Sequence, residues 1–365
     1  MQPDPVDVVD VAIIGGGPAG CAAGLALRDH APALRVVLVE ASAYDSPRLG
    51  ETLPPLSRRL LEHLGVWEAF QRQGHRPVHG TAAAWGSAAP LDHDYLFTAQ
   101  GNGWHLDRAA FDAMLAAAAE AKGVTVLRQT RVSRADREAQ VWRLRLRSGG
   151  ALTTRFLVDA TGASAAFARR SGARFVASDR LAGFARLFAE VPGSDPRTLV
   201  EAFSDGWWYT AGLPGGLRIA ACLTDADLAR RLRLAEPAQW ARHLAATDSV
   251  RDLLRGARPR GPVVVRPTQS RRLEPAAGEG WLAVGDAASL FDPLSSQGIL
   301  KGLRSGVFAA YAIGDLLCRG DSGGLERYDR YVREEFTSYC RVRARYYAEE
   351  RRWPESEFWR RRTAA

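Results

Sequence analysis

The feature that most constrains this chain is a glycine-rich turn between a strand and a helix near the start of the sequence. Val6 to Ile14 form a β-branched apolar run that is typical of a buried parallel strand. The turn Gly15 to Gly20 follows, Cys21 to His30 are predicted to be helical, and Leu34 to Glu40 form the next strand. A strand, a helix and a strand in this order predict a parallel sheet, and therefore an α/β protein.

The turn has the glycine spacing of a dinucleotide-binding loop. Gly15 permits the tight turn, Gly17 lets a pyrophosphate approach the backbone, and Gly20 permits close packing of helix on strand. The helix starts around Pro18 and Ala19, where free N–H groups and the helix dipole favour a bound anion. By itself this loop does not separate FAD from NAD.

Two further segments favour FAD. Glu40 ends the second strand, twenty residues after Gly20, where a carboxylate can accept hydrogen bonds from ribose hydroxyls. Gly285 and Asp286 follow a short strand, Trp281 to Val284, and Asp286 can accept hydrogen bonds from the ribityl hydroxyls of a flavin. The next segment is predicted to hold the flavin ring with backbone N–H groups aimed at its N1–C2=O edge. The residues predicted to form this ledge are Pro293, Gln297, Gly298 and Ile299.

The rest of the chain divides by its periodicity into helices, parallel strands and a run of antiparallel strands. Helices are predicted over Ser57–Gln73, Asp107–Lys122, Pro237–Leu254, Ser305–Cys318 and Tyr328–Arg352. Further strands are predicted over Val78–Trp85, Val124–Leu127, Val141–Arg147 and Leu152–Asp159. Four strands with short breaks predict a second, antiparallel layer: Leu181–Glu190, Thr198–Phe203, Trp207–Gly212 and Leu217–Leu223.

The net charge of +8 comes almost entirely from arginine, because Lys122 and Lys301 are the only lysines. The arginines are spread along the chain, which is typical of a genome-composition effect and predicts no nucleic-acid partner. The four cysteines are scattered and show no metal-ligand spacing, so they are predicted to be free thiols in a reducing compartment. No signal peptide or long apolar run is visible. These features predict a cytoplasmic protein with no metal and no membrane partner.

Taken together, the motifs resemble those of the p-hydroxybenzoate-hydroxylase-like FAD superfamily. The glycine turn and the Gly285-Asp286 pair occur in that family's order, and Val158 to Gly162 is similar to its middle motif behind the cofactor, with Asp159 as the acidic residue. The resemblance implies that Arg48 and Arg108 lie near the cofactor, although a surface role for either arginine stays open.

This resemblance implies an α/β fold: a Rossmann-like FAD-binding domain of the hydroxylase type, an inserted antiparallel substrate sheet and a C-terminal helix. The FAD-binding domain is predicted in three parts, at residues 1–80, 101–175 and 271–325. The substrate sheet is predicted at residues 81–100 and 176–270, and the C-terminal helical region at residues 326–365.

A halogenase-like branch of the superfamily is favoured by two segments, the loop Leu49 to Pro55 and the tail Arg351 to Trp359. Halogenases of this branch place a lysine in the strand that follows the loop, but Thr81 to Gly86 contain none. Their W-x-W-x-I-P signature is not intact either, since the nearest stretch is Gly206 to Pro214. The loop, the ledge and the tail instead resemble the flavoprotein maturases of tryptophylquinone-containing oxidases.

The resemblance implies an FAD-dependent monooxygenase that hydroxylates an aromatic substrate, tryptophan or indole, through a flavin C4a-hydroperoxide formed with O2. The substrate is then an aromatic small molecule or a tryptophan in a partner protein. No second dinucleotide-binding unit is visible, so NAD(P)H is expected to react transiently, or a partner flavin reductase supplies the electrons. The alternatives are a flavin-dependent halogenase, an oxidoreductase like the geranylgeranyl reductases, and a non-catalytic FAD-binding partner protein.

Candidate site residues beyond the cofactor motifs follow from chain position. Glu51, His79 and Gln297 are the candidates for a catalytic role, although a structural role is open for each. Trp85, Trp207 and Tyr209 are predicted to line the substrate side of the antiparallel sheet, with Trp207 and Tyr209 on one face. A core position for these aromatic side chains is the alternative.

Overall fold

The computed structural model describes residues 8–46, 48–95, 101–177, 179–189, 193 and 195–363. The predicted strand ends at residues 6, 7 and 190 lie outside these described residues. Within them, the chain forms two large sheets that face a common cavity, with helices on their outer faces.

The longest of the described strands lie in the two large sheets. In chain order they are β1 (Val8–Ile14), β2 (Val36–Val39), β3 (Thr52–Leu53), β4 (Arg76–Val78), β5 (Gly80–Ala84), β6 (Leu91–Asp94), β7 (Gly103–His105), β8 (Thr125–Leu127), β9 (Val132–Glu138), β10 (Val141–Leu146), β11 (Ala151–Asp159), β12 (Arg174–Ala177), β13 (Leu181–Ala189), β14 (Thr198–Phe203), β15 (Gly206–Leu213), β16 (Leu217–Asp225), β17 (Arg258–Pro267), β18 (Arg271–Glu274), β19 (Ala277–Gly278), β20 (Trp281–Ala283) and β21 (Ser289–Leu290).

The helices lie mainly at the two ends of the chain and around the first sheet. In chain order they are α1 (Pro18–His30), α2 (Ser57–His63), α3 (Trp67–Arg72), α4 (Arg108–Ala121), α5 (Ala226–Leu232), α6 (Pro237–Ala245), α7 (Ser249–Leu253), α8 (Gly298–Arg319), α9 (Gly323–Glu349) and α10 (Glu357–Thr363).

The first large sheet is the predicted dinucleotide-binding layer. Its strands follow the order β19-β20-β11-β1-β2-β8, and β9 and β10 extend it as an antiparallel hairpin beside β11. β1 pairs in parallel with both β2 and β11, and β20 pairs in parallel with β11. The carboxyl ends of these strands therefore meet at one edge, which is where open α/β sheets bind ligands. This arrangement confirms the predicted fold class.

The second large sheet has the order β17-β13-β16-β15-β14-β5-β6 and is antiparallel except for the parallel pair β14 and β5. It contains all four strands predicted for an antiparallel layer. One of its faces packs on α6 and α7 through Trp208 and Trp240. The other face turns towards the first sheet and packs at one end on α10 and the end of α9. The predicted domain boundaries themselves stay a prediction.

Three predicted elements are each divided into two, and the helices predicted from Ser305 and Tyr328 begin earlier, at Gly298 and Gly323. Ser57–Gln73 is two helices, because Gly65 adopts a positive φ of 71° between them. Pro237–Leu254 is also two helices, and the carboxylate of Glu201 accepts the Asp248 and Val250 N–H groups at the start of the second. The single strand predicted over Val78–Trp85 is divided between β4 and β5.

Nine of the described strands were not predicted, and β17 is the longest of them. β17 contains Pro259, Pro262 and Pro267, and prolines inside a run count against a strand. It exists because it lies at the edge of the sheet, where a missing N–H is tolerated. The four cysteines are free, and no described helix is long and apolar enough to cross a bilayer.

Candidate functional site

A cavity of about 1070 Å³ lies between the carboxyl edge of the first sheet and the inner face of the second. This volume is slightly above the range of ordinary ligand pockets, about 300–1,000 Å³. Sixteen of the predicted site residues line it: Gly15, Gly17, Pro18, Ala19, Gly20, Glu40, Arg48, Glu51, Arg108, Tyr209, Gly285, Asp286, Pro293, Gln297, Gly298 and Ile299. The structure therefore brings the early and late motifs of the sequence to one site.

The glycine turn leaves its backbone open towards the cavity. Gly15 has φ of +113°, and a Cβ there would lie 2.2 Å from the carbonyl oxygen of Ala160. A Cβ on Gly17 would meet nothing within 4 Å, so the backbone at Gly17 faces open space. No side chain caps the N-terminus of α1, and its free N–H groups are available to an anion. This cradle fits the diphosphate of a dinucleotide.

Glu40 is held in place at the end of β2. One oxygen of its carboxylate accepts the Gly16 N–H at 2.7 Å, and the other accepts the N–H and hydroxyl of Ser42. Arg48 adds an ion pair at 3.0 Å. Burial acts to raise the pKa of Glu40, but these hydrogen bonds and the Arg48 charge outweigh it and hold the pKa below its usual value. Glu40 is therefore a fixed anion at the cavity wall.

Arg48 and Arg108 converge on Asp112, a fully buried residue of α4. Arg48 contacts its carboxylate at 2.7 Å and Arg108 at 3.2 Å. Arg108 also donates to the carbonyl oxygens of Leu49 and Gly50. The two arginines thus tie the loop after β2 to α4 beside the cavity. Asp112 was missed by the sequence analysis, because it belongs to an otherwise ordinary alanine-rich helix.

Asp159 does not line the cavity but lies behind it, fully buried at the end of β11. Its carboxylate accepts the Thr161 N–H and hydroxyl on one oxygen, and the Phe167 and Ala168 N–H groups on the other. It shapes the loop that begins at Ala160, against which Gly15 packs.

The second motif and the ledge sit at the N-terminus of the 22-residue helix α8. Asp286 is half-exposed towards the cavity and pairs at 2.9 Å with the ammonium of Lys301, which is only 1% exposed. A Cβ on Gly298 would meet nothing within 4 Å, so the helix start is open to a planar group. Gln297 precedes it and is exposed.

The ledge is supported from behind by a buried polar network. Asp292 accepts the Leu294 N–H at 3.0 Å, the Tyr347 hydroxyl at 2.7 Å and the Arg343 guanidinium at 3.2 Å. Arg343 also pairs with Asp179 at 2.7 Å. Burial raises the pKa of Asp292, an effect that the Arg343 charge opposes. Sequence reasoning missed this network, since its members are far apart in the chain.

Glu51 and Tyr209 meet where the cofactor motifs adjoin the second sheet. The Tyr209 hydroxyl lies 3.4 Å from Glu51 Oε2 and 3.4 Å from the Thr52 hydroxyl. Burial raises the pKa of Glu51, although the Arg108 charge and the Gly50 N–H oppose this. Burial raises the pKa of Tyr209 as well, and the neighbouring Glu51 charge adds to that effect. The pair can hold or exchange a proton at this point.

Beyond Tyr209 the cavity becomes an apolar chamber. Its wall on the second sheet is built from small and aliphatic side chains: Gly183, Ala185, Ile219, Ala221 and Leu223. Opposite register positions on β13 and β16 bring Gly183 next to Leu223 and Ala185 next to Ala221. The alternation of small residues in β13 is the signal that could have revealed this wall, because strand residues two apart share a face.

Besides Asp159, three predicted residues do not line the cavity. Trp207 is 1% exposed and donates to the Tyr347 hydroxyl at 3.0 Å. Trp85 donates to the Tyr346 carbonyl oxygen at 2.7 Å and packs on Trp359. Both belong to the packing between the second sheet and the C-terminal helices. His79 is exposed and contacts Asn102.

Comparison with known proteins places these features in a family context. A family model described as an FAD binding domain, FAD_binding_3, matches residues 8–339. A putative FAD-dependent oxidoreductase, LodB, of Marinomonas mediterranea is 30% identical over 362 residues, 97% of each chain. The solved flavin-dependent halogenase CmlS superposes with a TM-score of 0.88 at 28% identity, over 98% of this chain and 68% of its own.

A second solved structure is similar across nearly the whole chain. It is that of QhpG, a peptidyl tryptophan dihydroxylase essential for tryptophylquinone cofactor biogenesis. The TM-score is 0.77 at 25% identity, over 98% of this chain and 79% of that one. The matches therefore include both halogenating and hydroxylating proteins.

Proposed function

Since the chain belongs to the FAD_binding_3 family of FAD binding domains, we propose that it is an FAD-dependent monooxygenase that hydroxylates an aromatic, indole-type substrate. The observation that carries the proposal is the composition of the cavity. The cofactor motifs lead into an apolar chamber, and neither of the chain's two lysines, both within the described residues, lines it.

The lysines are engaged elsewhere. Lys122 pairs with Asp29 at 2.7 Å on the surface, and Lys301 is buried against Asp286 and the carbonyl oxygen of Ser289. A halogenating enzyme of this architecture needs an ammonium group in the chamber to direct the halogen, as the family resemblance implies. Hydroxylation needs no such group, so the chamber favours oxygen transfer over halogen transfer.

The protein's part in the reaction is binding, orientation and proton handling. Bound FAD would supply two electrons and the activation of O2, so that one oxygen atom enters the substrate and the other leaves as water. The N-terminus of α1 and Glu40 would hold the diphosphate and the ribose of the cofactor. Asp286 would hold the ribityl chain, and the ledge from Pro293 to Ile299 would hold the ring.

The substrate ring would lie in the apolar chamber beyond Tyr209. Its wall of small and aliphatic side chains would pack against the ring and keep water from the reacting carbon. Hydroxylation at an aromatic carbon releases the proton of that carbon. Glu51, with its raised pKa and its position at the entrance to the chamber, is the group we assign to accept it.

The substrate tryptophan is proposed to belong to a partner protein. This rests on the similarity to a peptidyl tryptophan dihydroxylase. Electrons would come from NAD(P)H acting transiently or from a partner flavin reductase. A halogenase is the second candidate, since CmlS covers 98% of this chain.

One experiment separates these functions. The FAD-loaded protein is reduced and then mixed with isotopically labelled O2, chloride and bromide, and either free tryptophan or a tryptophan-containing peptide, and the products are analysed by mass spectrometry. We expect the labelled oxygen in the product and no halogen. Halogenated product would replace the proposal with the second candidate, whereas reduced flavin that reoxidises with no modified product would remove both.

Replacing Glu51 by Gln is expected to lower kcat by about a hundredfold while KM changes little, because the proton acceptor is lost but the chamber keeps its shape. In the wild type the rate should fall as pH falls through the raised pKa of Glu51, because a protonated carboxyl cannot accept the proton. The variant should lack this acidic decrease in its pH–rate profile. Tyr209→Phe is the control, since it removes the neighbouring hydroxyl and leaves the carboxylate. If the Glu51→Gln enzyme keeps the wild-type rate and pH profile, Glu51 is not the proton acceptor and only supports the loop by accepting the Gly50 N–H.

A further inference from the structure

The outer edge of β17 is the least covered part of the second sheet. Eight of its ten residues are exposed, and among the described strands it pairs only with β13. Val265 is 44% exposed. An exposed edge strand with apolar side chains is a site at which another chain can add a strand.

The register defines which backbone groups are free. Thr268 N–H donates to the Leu181 carbonyl oxygen, and the ladder continues through the pairs Arg266–Gly183 and Val264–Ala185. Hydrogen bonding alternates along an antiparallel pair, so Val265, between these two pairs, directs its N–H group away from the sheet; beyond Val264 the register shifts. Prolines at 262 and 267 close this free stretch at both ends. The edge can therefore pair with a short added strand, but not along its whole length with the β17 edge of a second copy of the chain.

This edge is strongly basic. Residues 255–272 contain six arginines and no aspartate or glutamate. Arg255 and Arg272 pair with Asp252 and Glu274, whereas no ion pair within the described part of the chain involves Arg258, Arg260 or Arg266. Arginines along a free edge attract a segment that carries aspartate or glutamate.

The edge is also continuous with the cavity. Arg266 and Pro267 line it, together with Thr268 and Gly183. Since Arg266 lies opposite Gly183 in the ladder, its side chain leaves the sheet on the face that carries the chamber wall. A strand docked on β17 would therefore pass beside the part of the cavity that Arg266 and Pro267 line.

We propose that β17 binds an acidic, extended segment of the partner protein by strand addition at Val265, and thereby presents an aromatic side chain to the chamber. This inference rests on the proposed function for the identity of the presented side chain, but the docking itself does not. The carbonyl oxygen of Val265, which now accepts the Arg266 guanidinium at 3.0 Å, would pair with the incoming strand. Arg266 would then turn to an acidic side chain of that strand.

The test uses a labelled synthetic peptide in which glutamate alternates with threonine around one central tryptophan, and its lysine-for-glutamate counterpart. Binding to the FAD-loaded full chain is read by fluorescence anisotropy. We expect the glutamate peptide to bind, more weakly as salt is raised, and the lysine peptide not to bind. Equal binding of the two peptides, or no binding of the glutamate peptide, would overturn the proposal.

Two kinds of variant separate charge from strand pairing. Arg258→Glu/Arg260→Glu should weaken binding about tenfold, since two ion pairs are lost and two repulsions are added. Val265→Pro removes a free N–H and should weaken binding similarly, whereas the matched control Val265→Thr keeps the N–H and should not. Unchanged binding in both test variants, or a wild-type dimer that Val265→Pro dissociates, would overturn the inference.

The rate at which the enzyme hydroxylates free tryptophan tests the proposed function independently of the docking proposal. None of the three variants should change it, because β17 does not carry the cofactor motifs. If no substrate is hydroxylated, the proposed function fails while the anisotropy result still decides the docking proposal.

Discussion

Gly15→Ala is expected to destabilise the FAD-free protein by about 3 kcal/mol, whereas Gly17→Ala should leave its stability within about 0.5 kcal/mol of the wild type. The two glycines lie in one turn but differ in what a methyl group would meet. At Gly15 the methyl carbon would lie 2.2 Å from a backbone oxygen, at a φ of +113°. At Gly17 φ is −74°, and nothing lies within 4 Å.

The same pair should behave differently towards FAD. The added methyl group of Gly17→Ala points into the space proposed for the diphosphate, so the affinity for FAD should fall about tenfold to a hundredfold. Urea unfolding of the FAD-free proteins and titration with FAD measure the two effects separately. If Gly15→Ala is as stable as the wild type, or if Gly17→Ala keeps the wild-type affinity for FAD, the glycine turn is not the site that holds the FAD diphosphate.

The local motifs could be predicted from the sequence because each is complete within a few residues. The glycine turn, Glu40 and the Gly285-Asp286 pair all lie next to strands with unambiguous apolar runs. Parallel pairing then brings their carboxyl ends to one edge, so segments about 270 residues apart in the chain line one cavity. The fold class followed from the same reasoning.

What could not be predicted depends on contacts between distant elements. Trp207 and Tyr209 share a face of β15, as expected, yet only Tyr209 lines the cavity. The C-terminal helices cover the strand at Trp207, and Tyr347 accepts a hydrogen bond from its indole. No periodicity in β15 reveals where α9 and α10 will pack. The prolines of β17 likewise conceal a strand whose existence depends on its edge position.

Arg343→Met is expected to destabilise the protein by about 3–5 kcal/mol at neutral pH, the usual cost of leaving a buried charge unpaired. Arg343 is the cation between Asp292, which is 1% exposed, and Asp179. Without it, two buried carboxylates face each other. Because Asp292 also fixes the Leu294 N–H, the ledge should loosen and FAD affinity should fall with it. The exposed Arg345→Met, on the same helix, is the control.

The sign of the pH dependence distinguishes this cause from simple loss of packing. Burial already raises the pKa of Asp292, and removal of the Arg343 charge should raise it further. At a pH between the pKa of Asp292 in the unfolded chain and its higher pKa in the folded variant, only the folded state keeps this carboxyl protonated. The free energy of unfolding of the variant should therefore fall as pH rises through this range. Urea unfolding of Arg343→Met should therefore show the smallest deficit at acidic pH. If the loss of stability in Arg343→Met is the same at every pH, Arg343 acts through its packing on Tyr347. If the loss becomes smaller when Asp292→Asn is added, the cost lies at the Asp292 carboxylate.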